Sequence, residues 1–253
     1  MTGYRRLPLD GLINARDLGG FACRGGVTQF GIFIRSEVPA RLSDTDLSFL
    51  RDYGVRTVLD FRGGEEIEKA PDMLSSQPWV RYMPIPLFNA DAAQGAVKKK
   101  DQDKVPGGAP GFTWKDHYIA MAEDGKGWMK SVLEALARAE GAALFHCTTG
   151  KDRTGLVTAA ILSLCGVRRD EIVADYSVSQ TFLLPLYLNM THLMPPGFKS
   201  DLSHPFFSTA PENMDAYLGY IDEKYGSVSG YIRSCGVDEY TIEALCRKLI
   251  CQN

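Results

Sequence analysis

The chain has 253 residues, of which 45% are hydrophobic and 23% are charged, with a formal net charge of −3 at pH 7. This length suits one α/β domain with a sizeable core, so residues 1–253 are expected to form a single domain. The charge balance gives no reason to expect nucleic acid as a partner. The six cysteines include no Cys-x-x-Cys pair, which argues against a zinc site and favours free thiols in a reducing compartment.

The N-terminal sequence, Met-Thr-Gly-Tyr-Arg-Arg, lacks the long apolar core of a secretory signal. The chain also lacks a run of about 18 apolar residues, so no stable membrane insertion is expected. A cytoplasmic protein is the simplest interpretation. A protein exported by a route without such a signal would have the same features.

The first 30 residues are rich in glycine and show little hydrophobic periodicity. Within them, Arg16 and Asp17 are charged residues between apolar ones. Two interpretations stay open: these residues brace or border a functional site, or they form a buried ion pair or a turn. The second is favoured.

Strands and helices alternate between residues 31 and 86. Strands are predicted at 31–35, 55–61 and 80–86, and helices at 44–53 and 64–70. Asp60 and Arg62 fall at the C-terminal end of the second strand, where open α/β sheets bind their ligands. We therefore expect both residues to support a functional site.

Residues 89–113 differ from their surroundings, with a lysine-rich stretch at 98–104 and a Pro/Gly-rich stretch at 106–111. A connection this long is either functional or disordered, and it is predicted to be a flexible insertion. It is interpreted either as a mobile lid whose lysines bind a second phosphate or as a solvated surface loop, the latter being favoured. An amphipathic helix follows at 128–139.

The most informative stretch is 142–155. A short apolar strand ends at His146 and is followed by Cys147, a five-residue loop, Arg153 and an apolar-periodic helix from Thr154. Such a loop binds anions, because the first amides of the helix have no intrahelical acceptor and the helix dipole adds positive charge. The same field favours the thiolate form of Cys147. The planar fork of Arg153 can hold two oxygens of a phosphoryl group.

Two other interpretations of this stretch are less favoured. A lone cysteine after an apolar run is usually a core residue, but the Gly-Lys-x-Arg-Thr spacing that follows favours a site. The Gly-Lys pair also suggests a nucleotide-binding P-loop. That assignment fails because Asp152, not Ser or Thr, follows the lysine, and no glycine lies five residues before Gly150.

Residues 146–155, His-Cys-Thr-Thr-Gly-Lys-Asp-Arg-Thr-Gly, resemble the signature of the cysteine-dependent phosphatases. They are most similar to the bacterial and fungal tyrosine phosphatases that have a Gly-Lys-Asp-Arg loop. Residues 14–20, Asn-Ala-Arg-Asp-Leu-Gly-Gly, are similar to the opening of that family. Residues 34–36 and 59–62 match its next landmarks, with Phe61 where the family more often has Leu.

The resemblance covers the chain from about residue 12 onward, except for 89–113. It implies an α/β fold with a small central, mostly parallel sheet flanked by helices, and an extended helical C-terminal part. Members of this branch act on phosphotyrosine, and several also act on phosphoinositides. The implied partners are therefore a phosphorylated protein or a phosphoinositide as substrate, with phosphate as product and ligand.

The implied reaction is the two-step hydrolysis of a phosphomonoester without a metal or another cofactor. The Cys147 thiolate attacks phosphorus in line to give a phosphocysteine, and water then hydrolyses this intermediate. The loop amides and Arg153 stabilise charge on the equatorial oxygens. The Thr154 hydroxyl can donate to the sulfur as it becomes the leaving group. The residues expected to bind substrate are Thr148, Thr149, Gly150, Lys151 and Thr154.

The acid that protonates the leaving group is open among three carboxyl groups. Many tyrosine phosphatases use an Asp near a Trp-Pro pair, but no Trp-Pro-Asp occurs here. The resemblance implies Asp152, and a carboxyl crowded against a phosphate dianion holds its proton. The alternative is that Asp152 caps the helix or pairs with a base, and Asp60 and Asp116 are then the reserves.

Roles are also predicted for two residues near Cys147. His146 is interpreted as a hydrogen-bonding support for the loop rather than as a base. Lys151 is expected to contact a nonbridging oxygen or a second phosphate on an inositol ring.

After residue 165 the chain is predicted to be helical, with short helices at 212–225, 229–235 and 238–251. Residues 180–212 combine an apolar stretch with four prolines between 192 and 211. They are a possible lid or membrane-touching flap, or else core followed by a crossing loop, which is favoured.

Three rival functions are considered. A dedicated phosphoinositide phosphatase is the nearest, because Lys151 and the apolar C-terminal stretch leave room for it. A catalytically inactive module that binds phosphorylated ligands would keep the same loop, but nothing in the sequence supports a loss of catalysis. A redox role for Cys147 is weaker, because no resolving cysteine is close in sequence.

Overall fold

A computed structural model describes residues 5–89, 97–98, 111–190, 202 and 205–251. Most of the predicted insertion at 89–113, including the lysines between 99 and 104, lies outside the described residues. So does the part of the possible lid between residues 191 and 201. A lid in either place therefore stays a prediction.

The described residues form short strands and mostly longer helices. The strands are β1 (Arg16–Asp17), β2 (Ala22–Cys23), β3 (Gly26–Val27), β4 (Phe33–Ser36), β5 (Val55–Asp60), β6 (Arg81–Pro84), β7 (Phe88–Asn89), β8 (Val97–Lys98) and β9 (Ala142–His146). The α-helices are α1 (Asp44–Asp52), α2 (Gly64–Lys69), α3 (Trp114–Asp124), α4 (Lys126–Arg138), α5 (Asp152–Leu164), α6 (Arg169–Ser177), α7 (Ser179–Met190), α8 (Pro211–Tyr225), α9 (Val228–Ser234) and α10 (Glu239–Leu249). Short 3-10 helices occur at Met73–Ser76 and Pro205–Phe207.

The central sheet has the order β1-β4-β9-β5-β6 among the described residues. Strands β4, β9, β5 and β6 run parallel, and β1 pairs antiparallel with β4 at one edge. The register places Ser36 and Asp60 on either side of His146, so three parallel strands end at the same level. The predicted small, mostly parallel sheet flanked by helices is confirmed.

Alternating side chains of the central strand β9 enter two hydrophobic clusters, one on each face of the sheet. Ala143 and Phe145 belong to the larger cluster, which includes buried residues of helices α3–α6 and α8–α10. Ala142 and Leu144 belong to the smaller cluster beneath α1 and the N-terminal segment. The strand that carries the loop is therefore fixed by packing on both faces.

Beyond α5 the described chain is helical up to its last residues, as predicted. None of the helices in the described part of the chain has the length and apolar content needed to cross a bilayer.

Candidate active site

The loop between β9 and α5 closes tightly against the end of β4. Helix α5 begins at Asp152 rather than at Thr154, with Lys151 as its N-cap residue. Gly150 has φ +67°, and a Cβ added there would lie 2.3 Å from the carbonyl oxygen of Ser36. Only glycine fits this position, because it tolerates the left-handed conformation and has no side chain to clash.

Three consecutive carbonyl groups of this loop are held from outside. The oxygens of Thr148, Thr149 and Gly150 accept hydrogen bonds from the Val38 amide (3.2 Å), the Asn14 side-chain amide (3.0 Å) and the Arg35 guanidinium (2.7 Å). The C=O and N–H of a trans peptide point in opposite directions. The amides that follow these carbonyls therefore turn towards the inside of the loop, where they can bind an anion.

The cation that holds Gly150 belongs to a buried ion network. Arg35 and Arg16 contact Asp175 at 2.6 and 2.8 Å, and all three side chains are at most 2% exposed. Burial would raise the pKa of Asp175, but Arg16 and Arg35 outweigh it and hold that pKa well below its usual range. Arg16 also donates to Asn14 at 2.7 Å and so orients the amide that binds Thr149. The two interpretations of Arg16 are thus compatible, because its buried ion pair is part of a brace.

The Asp17 carboxylate binds a different part of the chain from its neighbour Arg16. Its carboxylate accepts from the amides of Gly19 (2.7 Å) and Gly31 (2.8 Å) and from the hydroxyl of Tyr53 (2.8 Å). The two amides lie near the two ends of the segment that joins β1 to β4 and carries β2 and β3. These hydrogen bonds of Asp17 therefore hold that segment and Tyr53 rather than the loop.

Cys147 lies at the base of the loop and is 2% exposed. The neighbouring His146 is fully buried, with Nδ1 3.1 Å from the Cys147 carbonyl oxygen and Nε2 3.0 Å from Asp72 Oδ2. Both partners are hydrogen-bond acceptors, and together they fix the ring between Asp72 and the start of the loop. His146 thus contacts the loop from the sheet side, where a support rather than a base would lie.

Asp60 and Arg62 form a closed, buried pair beneath this support. Arg62 donates to both oxygens of Asp60 at 2.7–3.2 Å, and Tyr82 adds a hydrogen bond of 2.7 Å. Burial raises the pKa of Asp60, but Arg62, His146 and Tyr82 together outweigh it and lower that pKa overall. The Asp60 carboxylate is therefore buried and already hydrogen-bonded, so it is not accessible to a substrate as a general acid.

Asp60, Asp72 and His146 also place donor atoms within 4.8 Å of one another, a spacing that could hold a metal ion. The Arg62 guanidinium already engages both oxygens of Asp60, and its positive charge would oppose a cation there. The donor set therefore fits a hydrogen-bonded cluster better than a metal site.

Arg153 is clamped by Glu66, a residue that sequence reasoning missed. Its two terminal nitrogens lie 2.8 and 2.7 Å from the Glu66 carboxylate oxygens, and Nη1 also donates to the Phe61 carbonyl at 3.1 Å. Thr148 accepts from Nη2 at 3.3 Å and donates to Glu66. Burial raises the pKa of Glu66, but Arg153 outweighs it and brings that pKa to about 2. Arg153 can therefore donate to a phosphoryl group from one edge of its guanidinium, through the N–H of Nε and the weakly held N–H of Nη2.

Lys151 is covered rather than exposed to solvent. Its ammonium donates to the Phe206 carbonyl at 2.6 Å and lies 4.1 Å from the centre of the Trp114 ring. Burial lowers the pKa of Lys151. Contact with a second phosphate, as predicted, would require the ammonium to leave the Phe206 carbonyl.

Asp152 lies at the start of α5 with 21% of its side chain exposed. Its Oδ1 accepts a 2.6 Å hydrogen bond from the hydroxyl of Tyr118, another residue that the sequence did not single out. The reserve acid Asp116 instead accepts from Thr113 at the exposed start of α3.

The remaining predicted substrate-binding residues differ in exposure. Thr148 is exposed and Thr149 is half-buried at the loop's outer surface. Thr154 is fully buried, and its hydroxyl has no hydrogen-bond partner among the described residues, Cys147 included. The expected bond from Thr154 to the sulfur is therefore not formed in this structure, although the hydroxyl's donor remains unused.

Comparisons with known proteins agree with this geometry. The family model described as "Tyrosine phosphatase family" matches residues 7–251. The chain is 29% identical over 233 residues to a tyrosine-protein phosphatase of Nostoc commune, covering 88% of this chain and 76% of that protein. It is 26% identical over 273 residues to the "triple specificity protein phosphatase PtpB" of Mycobacterium tuberculosis, covering 95% and 97% of the two chains.

Proposed function

The chain belongs to the tyrosine phosphatase family and is a protein-tyrosine phosphatase, and from this premise we propose that it hydrolyses phosphotyrosine through a phosphocysteine on Cys147. The observation that carries the proposal is the set of three outward-held carbonyls at Thr148, Thr149 and Gly150. Because the C=O and N–H of a trans peptide point in opposite directions, the amides that follow these carbonyls are expected to point into the loop, where a phosphoryl group would bind. Preorganised donors of this kind stabilise the charge on a transferring phosphoryl group without reorganising during the reaction.

In the first step the Cys147 thiolate attacks phosphorus, so that a sulfur–phosphorus bond forms as the bond from phosphorus to the phenolic oxygen breaks. The departing oxygen takes a proton from Asp152. In the second step water attacks the phosphocysteine and the sulfur–phosphorus bond breaks. Asp152 takes a proton from that water, and phosphate leaves with the thiolate restored.

Arg153 supports both steps from one side. Glu66 and Phe61 engage both terminal nitrogens, which orients the guanidinium before substrate arrives. The Nε/Nη2 edge then provides two parallel N–H groups for two oxygens of the phosphoryl group.

Asp152 is the best-placed acid of the three candidates. It begins the helix that follows the loop and is partly exposed there, whereas Asp60 is buried against Arg62 and Asp116 lies at the exposed start of α3. The helix N-terminus at Asp152 also suits the carboxylate form that must be restored after each proton transfer.

The test is to trap the covalent intermediate. Wild-type enzyme quenched in acid during turnover of p-nitrophenyl phosphate should gain the mass of one phosphoryl group on the peptide that contains Cys147. Cys147→Ser should lose turnover, whereas Cys235→Ser, which changes a buried thiol at the C-terminal end of α9, should keep it. Turnover by Cys147→Ser at the wild-type rate would refute the proposal.

Phosphoinositides are a second proposed substrate class. One observation favours them: Lys151 places a buried positive charge beside Cys147 and Asp152. If this charge binds a second phosphate, Lys151→Ala should lose activity on inositol bisphosphates while keeping activity on phosphotyrosine. Equal effects on the two substrates would refute this assignment.

A further inference from the structure

We propose that Tyr118 is a positioning residue for the general acid: its hydroxyl holds one oxygen of Asp152 and leaves the other oxygen to carry the proton. The inference rests on the proposed acid role of Asp152. It assigns a task to a buried tyrosine on a helix that is remote from the loop in sequence.

The geometry begins with two short hydrogen bonds. The Tyr118 hydroxyl lies 2.6 Å from Asp152 Oδ1 and 2.6 Å from the hydroxyl of Tyr176. A carboxylate only accepts, so the single hydrogen of Tyr118 must point at Asp152. Tyr176 must then donate to Tyr118. The result is a directed chain from Tyr176 through Tyr118 to Asp152.

Packing fixes the position of the Tyr118 hydroxyl. Its ring is fully buried and meets the rings of Tyr176 and Tyr217 edge-on, with centroids 6.0 and 6.3 Å away, while Trp114 lies at 5.4 Å. Burial, together with the charge of Asp152, raises the pKa of Tyr118 well above its ordinary value. Tyr118 therefore stays a donor throughout the pH range of an assay.

The two oxygens of Asp152 have unequal surroundings. Oδ1 faces the Tyr118 hydroxyl and, at 3.7 Å, the Lys151 ammonium. Oδ2 has no hydrogen-bond partner among the described residues, and the side chain is partly exposed. The proton that the leaving group needs is therefore carried on Oδ2.

Groups from the loop and from three helices influence the charge of Asp152. They are Lys151 and Arg153 on the loop side, His117 and Tyr118 on α3, Tyr176 on α6 and Tyr187 on α7. Burial lowers the pKa of His117, so it is neutral above neutral pH. Burial also lowers the pKa of Lys151, so deprotonation of its ammonium is a rival explanation for a loss of activity at high pH.

A hydrogen bond to the charged form of an acid favours that form. The enzyme needs this proton in the first step, so its activity falls at the pH where the acid ionises. Removing the Tyr118 hydroxyl takes away a hydrogen bond to the charged form and should therefore move this high-pH limb upward.

The experiment is the pH dependence of kcat/KM on a phosphotyrosine peptide, whose leaving group needs the proton. Tyr118→Phe should shift the high-pH limb upward, and Tyr176→Phe should shift it less in the same direction, because the bond to Asp152 remains. Tyr217→Phe is the matched control, since Tyr217 packs on the same ring but is not part of the chain. The high-pH limb of the Tyr217→Phe profile should coincide with that of the wild type.

Asp152→Asn separates the inference from the proposal beneath it. If its high-pH limb survives, that limb belongs to another group such as Lys151, and the acid assignment itself fails. If Asp152→Asn loses the limb but Tyr118→Phe and Tyr176→Phe both coincide with wild type, the acid assignment stands and the role of Tyr118 is refuted. An equal loss of rate at all pH values in Tyr118→Phe, without a shift, would also refute it, because that is the effect of a purely structural residue.

Discussion

Arg35 donates a 2.7 Å hydrogen bond to the carbonyl oxygen of Gly150, so a fully buried cation on strand β4 holds the loop around Cys147 from outside. The other end of this guanidinium is fixed by Asp175 at 2.6 Å. The Arg35 guanidinium therefore stabilises the conformation of the loop. The loop conformation that we propose binds phosphate is therefore held by contacts within the fold itself.

Asn14 provides the second outside contact, and its loss should weaken anion binding. We expect Asn14→Ala to lower kcat/KM on phosphotyrosine, and the affinity for vanadate, by roughly fivefold, because a lost hydrogen bond costs about 1 kcal/mol. Without the bond to the Thr149 carbonyl, the following amide is free to turn out of the loop. Vanadate inhibition constants measured beside kcat/KM would check this.

Gln29→Ala is the control for the Asn14 variant. Gln29 also donates its side-chain amide to a backbone carbonyl, that of Ile250, at 3.0 Å. Both variants should lose some stability, but only Asn14→Ala should lose vanadate affinity. A similar affinity in the two variants would contradict the brace.

Gly150→Ala should abolish activity through a clash. An added Cβ would meet the Ser36 carbonyl oxygen at 2.3 Å, so the loop must move away from β4. Gly25 provides the comparison, because its φ of +88° carries the same backbone preference while a Cβ there meets nothing within 4 Å. Gly25→Ala should therefore cost only about 1 kcal/mol of stability and leave kcat unchanged. If the two variants keep equal activity, the tight fit of Gly150 has no role in catalysis.

Asp175→Asn should destabilise the whole fold. It would leave Arg16 and Arg35 buried without their shared counter-charge, which costs about 3–5 kcal/mol for a buried pair that loses one partner. Urea unfolding at neutral pH measures this change. Asp170→Asn, which removes an exposed ion pair with Arg168, should leave the unfolding curve where it was. A stable Asp175→Asn variant with normal vanadate affinity would show that the loop does not depend on this network.

Much of the sheet and of the nucleophile loop could be predicted, because each is encoded locally. The apolar run before His146 and the helix predicted at 44–53 are each marked by residues that are neighbours in sequence, and the structure has both as expected. The two-residue strands β1, β2 and β3 were missed, because segments so short show no hydrophobic periodicity.

The partners of the loop could not be predicted in the same way. Glu66, Tyr118 and Asp175 each meet the site through a contact spanning many residues of chain, and nothing near them in sequence distinguishes them from surface or core residues. The acidic composition of α2 was the one available signal for Glu66. Only the packing of α2 against the loop reveals which of its carboxylates meets Arg153.

Glu66→Gln should remove a stabilising interaction whose pH dependence is predictable. The pKa of Glu66 falls from an ordinary 4.5 to about 2 in the folded protein, because the Arg153 bonds outweigh burial. A carboxylate with a lowered folded pKa contributes stability that is fully present above pH 4.5 and is lost as the pH falls towards 2. The stability difference between wild type and Glu66→Gln should therefore be constant from pH 7 to about pH 5 and shrink below it.

Urea unfolding at pH 7, 5, 4 and 3 measures this difference, with Glu68→Gln on the exposed side of the same helix as control. A difference that stays constant down to pH 3, or one that Glu68→Gln reproduces, would show that the Glu66 carboxylate is not what fastens Arg153.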